Sequence, residues 1–217
     1  MGIFAVYKPI GMTSPDVVQA VRHATGERRV GHAGTLDPLA EGVLVVGVGR
    51  ESTRLLASVV AHEKEYRALV ILGAPSPTED REGEKFAREV PASPARSVVE
   101  EACARFVGEI AQVPSAYSAV KVHGKEAYKR ARRGEAFVLG PRRVLIKSIT
   151  VLRYAYPELE LLVTTGPGVY IRALARDIGE ALGTGAYLGG LVRTRVGEYR
   201  AEDAVRVGEL GRSGGVR

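Results

Sequence analysis

Apolar residues along the chain recur at two spacings, and the switches between them outline its elements. The apolar run over residues 3–7 predicts a strand that ends in a turn at Lys8-Pro9-Ile10-Gly11. Ser14-Pro15-Asp16 then opens a helix in the order cap, proline, acid, with Val17, Val18 and Val21 as its buried stripe and Gly26 as its stop. Residues 31–41 read as a glycine-bearing loop, and the apolar run 42–49 reads as a central strand. A short helix over 52–60, a strand over 66–72 and an exposed connection over 73–94 follow. The next helix, 97–106, turns Val98, Ala102 and Phe106 toward the core.

Residues 114–124 are polar and turn-rich, and they lead into a basic helix over about 125–133 that Gly134 terminates. Strands are predicted at 144–152 and 159–165. Gly166-Pro167-Gly168 then turns into a helix with Ile171, Leu174, Ala175, Ile178 and Leu182 on one face, closed by Gly183. Residues 212–217 are expected to fray. Strands and helices do not alternate as in a doubly wound fold, so the expected class is α+β, a mixed, mainly antiparallel sheet flanked by helices.

Composition narrows this picture. With 217 residues and 45% hydrophobic content, the chain can bury one sizeable core, and a single domain over 1–217 is expected. No apolar stretch approaches the roughly eighteen residues of a membrane span, and the first residues lack a signal-peptide pattern, so a cytoplasmic protein is expected. The lone Cys103 falls on the apolar side of its helix as an inert thiol, and the four histidines form no metal-ligand spacing, so no metal is expected.

Charge adds a location. The net charge is +6, and between Lys121 and Arg143 eight basic residues (Lys121, Lys125, Lys129, Arg130, Arg132, Arg133, Arg142, Arg143) face two acids, Glu126 and Glu135. That segment carries the whole surplus, which suits a polyanion.

Two stretches could carry chemistry. In residues 31–42, Asp37 precedes a proline, which biases its backbone toward extended conformations and presents a carboxylate at a set angle beside a strand. Far away, Tyr170 and Arg172 occupy the first turn of a helix, where an arginine can keep a carboxylate ionised or hold a phosphate. Tyr66 offers an aromatic face at the start of a strand.

Together these patterns resemble the TruB family of tRNA pseudouridine-55 synthases. The match runs from Val6-Tyr7-Lys8-Pro9-Ile10-Gly11-Met12-Thr13-Ser14 through the 31–42 loop, Lys64-Glu65-Tyr66, the 114–121 segment and Tyr170-Ile171-Arg172 to Leu191-Val192-Arg193. The resemblance implies a pseudouridine-synthase-like fold with Asp37 as the essential aspartate, Tyr66 stacked on the target base and Arg172 paired with Asp37. It also implies that His32 supports the flipped RNA, that Tyr170 and Leu191 line the pocket, and that Lys8 and Pro9 pack behind it. Two departures stand out. Pro167 takes a place where relatives often have lysine, and no C-terminal PUA domain is expected, which shifts RNA binding onto Lys121, Lys125, Lys129, Arg130, Arg132 and Arg133.

The implied reaction moves uracil from N1 to C5 on the same ribose, so it needs no cofactor. The expected partner is the T stem-loop of tRNA, with no protein partner and a monomeric enzyme. The residues leave open whether Asp37 attacks C1', attacks C6 or removes a sugar proton. They also leave as alternatives an RNA-guided rRNA synthase and a noncatalytic RNA-binding module.

Overall fold

A computed structural model describes residues 2–122 and 124–211; the expected fraying of 212–217 lies outside these. In chain order the strands are β1 (Ile3–Lys8), β2 (Val30–Ala33), β3 (Ala40–Val48), β4 (Lys64–Leu72), β5 (Gly108–Gln112), β6 (Lys121–Val122), β7 (Lys125–Glu126), β8 (Arg142–Ala155), β9 (Glu158–Thr165), β10 (Ala186–Val196), β11 (Tyr199–Arg200) and β12 (Val205–Arg206). The helices are α1 (Ser14–Thr25), α2 (Arg50–Val60), α3 (Arg96–Ala104), α4 (Ala127–Ala131) and α5 (Ile171–Ala181). Strand pairing is mainly antiparallel, with β1–β12 and β3–β10 parallel, so the class is the mixed α+β expected.

The chain forms two compact units. The first holds the described residues up to Arg67 and from Leu191 onward, and the second is Ala68–Gly190. Strands β4 and β10 each run from one unit into the other.

In the first unit, β3 lies between β1 and β10, with β2 also paired to it. Its side chains alternate between two apolar clusters. Val43 and Val45 join Leu56 and Val59 of α2, whereas Leu44, Val46 and Val48 join Val17, Val18 and Val21 of α1. A strand covered on both faces has no polar side, which is why 42–48 reads as one apolar run. Gly42 in that run meets Arg193 of β10 so closely that a Cβ would lie 2.2 Å from the Arg193 carbonyl oxygen.

In the second unit, β9 lies between β4 and β8, and β5 pairs with β8. Val70, Ile146, Leu161 and Val163 are buried there, as are Val99, Ala102 and Cys103 of α3 and Ile171, Leu174 and Ile178 of α5.

Several sequence expectations shift. Residues 31–33 belong to β2, because their backbone pairs with 45–47 of β3; the loop shrinks to 34–39. Thr13, not Ser14, caps α1, through a reciprocal Thr13–Asp16 capping box. Ser14 is inside the helix and uses its hydroxyl elsewhere. On α3 the buried face is rotated by one residue, with Val99 inside and Val98 half exposed, and the helix stops at Ala104, short of Phe106. Lys125 lies in β7, so the basic helix is only α4. The 73–94 connection holds the buried residues Ser76, Glu79 and Asp80. Strand β10, beyond Gly183, has no clear signature in the sequence, since its two glycines and three charged or polar residues break the apolar alternation.

Candidate active site

The Asp37 loop is held at alternate residues. Arg193 Nη2 donates to the Gly34 carbonyl at 2.9 Å, and the Gly11 amide donates to the Pro38 carbonyl at 2.8 Å. Between them, Ser14 grips Leu36 twice: its hydroxyl donates to the Leu36 carbonyl at 3.1 Å and accepts from the Leu36 amide at 2.9 Å. Leu36 and Leu39 are buried on either side of Asp37. The segment Gly34 to Leu39 therefore has little freedom, although it is neither helix nor strand.

Lys8, fully buried, lies near the Asp37 carboxylate. Its Nζ donates to the carbonyls of Met12 (2.7 Å) and Pro9 (3.0 Å), closing the turn before α1. Burial pushes the Lys8 ammonium below its ordinary pKa, while the carboxylates of Asp37 and Glu41 act in the opposite direction. Lys8 is thus both a brace for the turn and a cationic neighbour of Asp37.

Arg193 is the residue that sequence reasoning passes over, since it is legible only as the end of the Leu191-Val192-Arg193 motif. In the structure it is 1% exposed, its Nε donates to the Val43 carbonyl at 2.7 Å, and the buried Tyr66 hydroxyl meets the same guanidinium. Burial lowers its pKa from the ordinary arginine value. An arginine fork suits this post because it can serve several acceptors in fixed directions. One buried cation thereby ties together Gly34 of the Asp37 loop, the central strand and Tyr66.

Two further ionisable groups, Lys64 and His32, feel the charge of Arg193. Lys64, 7% exposed, donates to the carbonyls of Val60 and His62 at 2.8 Å each, and burial with help from Arg193 brings its pKa down to about 8. His32, half-buried on β2, is pushed below its ordinary pKa by burial first and by Arg193 second. Its buried Nδ1 has no hydrogen-bond partner within the protein. Leu191, half-buried, stands opposite Ala40 at the end of β3.

Arg172 and Tyr170 belong to the second unit. Tyr170 is the N-cap of α5, and Gln112, 1% exposed, grips its peptide twice: the Tyr170 amide donates to Gln112 Oε1 at 2.9 Å, and Gln112 Nε2 donates to the Tyr170 carbonyl at 3.2 Å. Arg172 is buried rather than on the surface. Its guanidinium donates to the Tyr117 carbonyl (3.1 Å) and Ser115 Oγ (3.2 Å), and lies 3.8 Å from Asp80 Oδ2. Asp37 lies in the first unit and Arg172 in the second.

The basic segment is a two-stranded hairpin, β6–β7, followed by α4. Lys121, Lys125, Lys129, Arg132 and Arg133 are exposed and Arg130 is half-buried. Glu126 pairs with Lys129 at 3.1 Å, and Glu135 with Arg130 at 2.8 Å and Arg133 at 3.8 Å. Both acids of the segment are therefore engaged locally, and an excess of cations remains for an external anion.

Known proteins resemble this chain along nearly its whole length. Residues 22–171 match the TruB family pseudouridylate synthase N-terminal domain, and residues 172–213 match the tRNA pseudouridylate synthase B C-terminal domain. The chain is 49% identical, over 96% of its length and 70% of the relative's, to the tRNA pseudouridine synthase B of Leifsonia xyli subsp. xyli. It is 42% identical, over 97% of its length and 77% of the relative's, to the protein of the same name from Thermus thermophilus. Among solved structures, a chain in the crystal structure of a Cbf5-Nop10-Gar1 complex superposes with a TM-score of 0.76 at 29% identity, covering 97% of this chain and 53% of that one. A chain in an H/ACA RNP bound to a substrate RNA containing 2'-deoxyuridine gives 0.72 at 26% identity, covering 97% and 52%. This chain thus spans about half the length of those solved chains.

Proposed function

Since the chain belongs to the TruB family of pseudouridylate synthases, we propose that it isomerises uridine 55 in the T loop of tRNA to pseudouridine, with Asp37 as the catalytic carboxylate. The substrate class follows from the relatives' name, tRNA pseudouridine synthase B. The observation that carries the role of Asp37 is the pinning of its loop at Gly34, Leu36 and Pro38. A carboxylate that must act at one atom of a bound nucleotide gains most from such preorganisation.

In this reading the C1'–N1 bond breaks, the uracil turns and C1' bonds to C5. The C5 proton leaves and N1 takes one up, so the reaction is redox-neutral and needs no cofactor. The uridine leaves the RNA stack to reach the site, at a cost on the order of a few kcal/mol. Tyr66 offers its ring to the flipped base, His32 and Leu191 support the RNA around it, and Lys8 holds a positive charge beside Asp37. Tyr170 and Arg172 serve the same reaction from the start of α5. The exposed lysines and arginines of 121–133 grip the phosphates of the T arm. The enzyme works as a monomer on tRNA alone, without a guide RNA or protein partner.

The test is tritium release from a bare T-arm stem-loop labelled at uridine C5. Wild-type protein releases tritium without any added partner, and Asp37→Asn binds the stem-loop but releases none. Equal release from both proteins would sink the role of Asp37, and release only with added guide RNA would sink the tRNA-alone reading.

A further inference from the structure

Arg176 lies four residues after Arg172 on α5, so the two arginines share a helix face. Four of the residues around the Arg172 guanidinium come from two segments. Thr78 and Asp80 belong to the loop after β4, with the Thr78 carbonyl 3.5 Å from Arg172 Nη1, and Ser115 and Tyr117 belong to the stretch after β5. Arg176 bridges the same two segments. Its Nη1 donates to Glu79 Oε1, and its Nη2 donates to the Val113 carbonyl at 2.8 Å.

Glu79 is held in an unusual state for this purpose. It is the one non-glycine residue with positive φ (61°) among the described residues, and it is 8% exposed. Such a backbone costs on the order of 1 kcal/mol or more and persists only where neighbours hold it. Here the Glu79 amide donates to the Ser76 carbonyl and its own carbonyl accepts from the Leu188 amide, both at 2.9 Å. Its Oε2 is buried without a hydrogen-bond partner. Burial pushes the carboxyl up from its ordinary pKa, with Arg176 first among the groups opposing this and the nearby Ser115 hydroxyl next. A strained, buried acid next to Asp80 is a poor choice for stability alone.

We infer that Glu79 and Arg176 form a positioning pair that sets the guanidinium of Arg172 by locking the 76–83 loop and the 113–117 stretch onto α5. Arg176 does not touch the reacting atoms; it fixes the groups that aim Arg172. This inference rests on the reading that Arg172 serves the isomerisation.

The experiment is steady-state kinetics, with single-turnover rates beside it, on the T-arm stem-loop with Glu79→Gln, Arg176→Met, their double variant and Arg172→Lys. Each single change at the pair is expected to lower kcat roughly tenfold with KM within about twofold, since misplacement of a catalytic group acts on the transition state. The double variant is expected to be no slower than either single one, because each breaks the same tie. Unchanged kcat in Glu79→Gln, a loss confined to KM, or losses that multiply in the double variant would overturn the inference. If Arg176→Met does not fold, the isosteric Glu79→Gln decides alone. Arg172→Lys separates the two levels: full activity there refutes the role of Arg172 and the pair with it, whereas an impaired Arg172→Lys beside a fully active Glu79→Gln refutes only the pair.

Discussion

Arg193 Nη2 donates to the carbonyl of Gly34 at 2.9 Å, so a side chain 159 residues further along the sequence holds the loop that presents Asp37. The same guanidinium serves Val43 and meets Tyr66. A lysine cannot reproduce that fork, because its ammonium is a single point donor. Arg193→Lys is therefore expected to lower stability by about 2–3 kcal/mol by leaving buried carbonyls without donors. It should also cut kcat. Urea unfolding and single-turnover rates measure the two effects, and wild-type behaviour in both would remove Arg193 from the site.

Gly42 makes the approach of β10 possible. Its φ is 107°, and an added Cβ would sit 2.2 Å from the Arg193 carbonyl oxygen and 2.8 Å from its nitrogen. Backbone atoms cannot yield as a flexible side chain can, so Gly42→Ala is expected to cost about 3 kcal/mol or more. Thermal unfolding checks this. The nearby Gly47→Ala makes a useful comparison, since its closest obstacle is 3.0 Å away and its φ is not in the left-handed region.

Lys64 gives a pH signature. Its folded pKa of about 8 lies below the ordinary 10.5, so above pH 8 the unfolded chain binds more protons than the native one, and stability contributed by this group rises with pH. Below pH 8 the penalty is constant. The stability of wild type relative to Lys64→Met should therefore rise by about 3 kcal/mol between pH 7 and 10.5, at roughly 1.4 kcal/mol per pKa unit. Denaturant titrations of both proteins across that range test it. A flat difference would mean that folding leaves the Lys64 pKa at its ordinary value.

Binding of the T arm should depend on salt through the exposed cations of 121–133. Taking away one cation that neutralises a phosphate makes the slope of log K against log salt shallower by about 0.7–0.9. Lys125→Ala with Arg132→Ala should reduce it by about 1.5 while leaving the single-turnover rate at saturating RNA near wild type. An unchanged slope would place the RNA on another surface.

Cys103 is 2% exposed on α3, and burial pushes its thiol up to about 11. Native protein at pH 8 should react with a thiol reagent only as fast as α3 opens, and at the rate of a free thiol in denaturant. Fast labelling of the native protein would show α3 to be loosely held.

Much of the candidate site is readable from local pattern. Asp37, Lys8, Tyr66 and Arg172 stand in motifs whose order along the chain points to one family, and the strand 42–48 shows itself by an unbroken apolar run. Local pattern fails at choices between adjacent residues. Thr13 and Ser14 are both good caps, and Val98 and Val99 are equally apolar; only contacts decide between members of each pair. Ser14 is drawn to the peptide of Leu36, 22 residues away, and Thr13 is left to cap α1 with Asp16.

The sequence by itself determined most of the helices and the apolar strands, the α+β class and the family, because helical periodicity, apolar runs and short motifs are local properties. Tertiary structure alone decided who holds the Asp37 loop. Arg193 is 159 residues from Gly34 and Ser14 is 22 from Leu36, and in the second unit Arg172 is 94 from Thr78. Hydrogen bonds over such separations exist only once strands have paired and helices have packed, and no spacing along the chain encodes them.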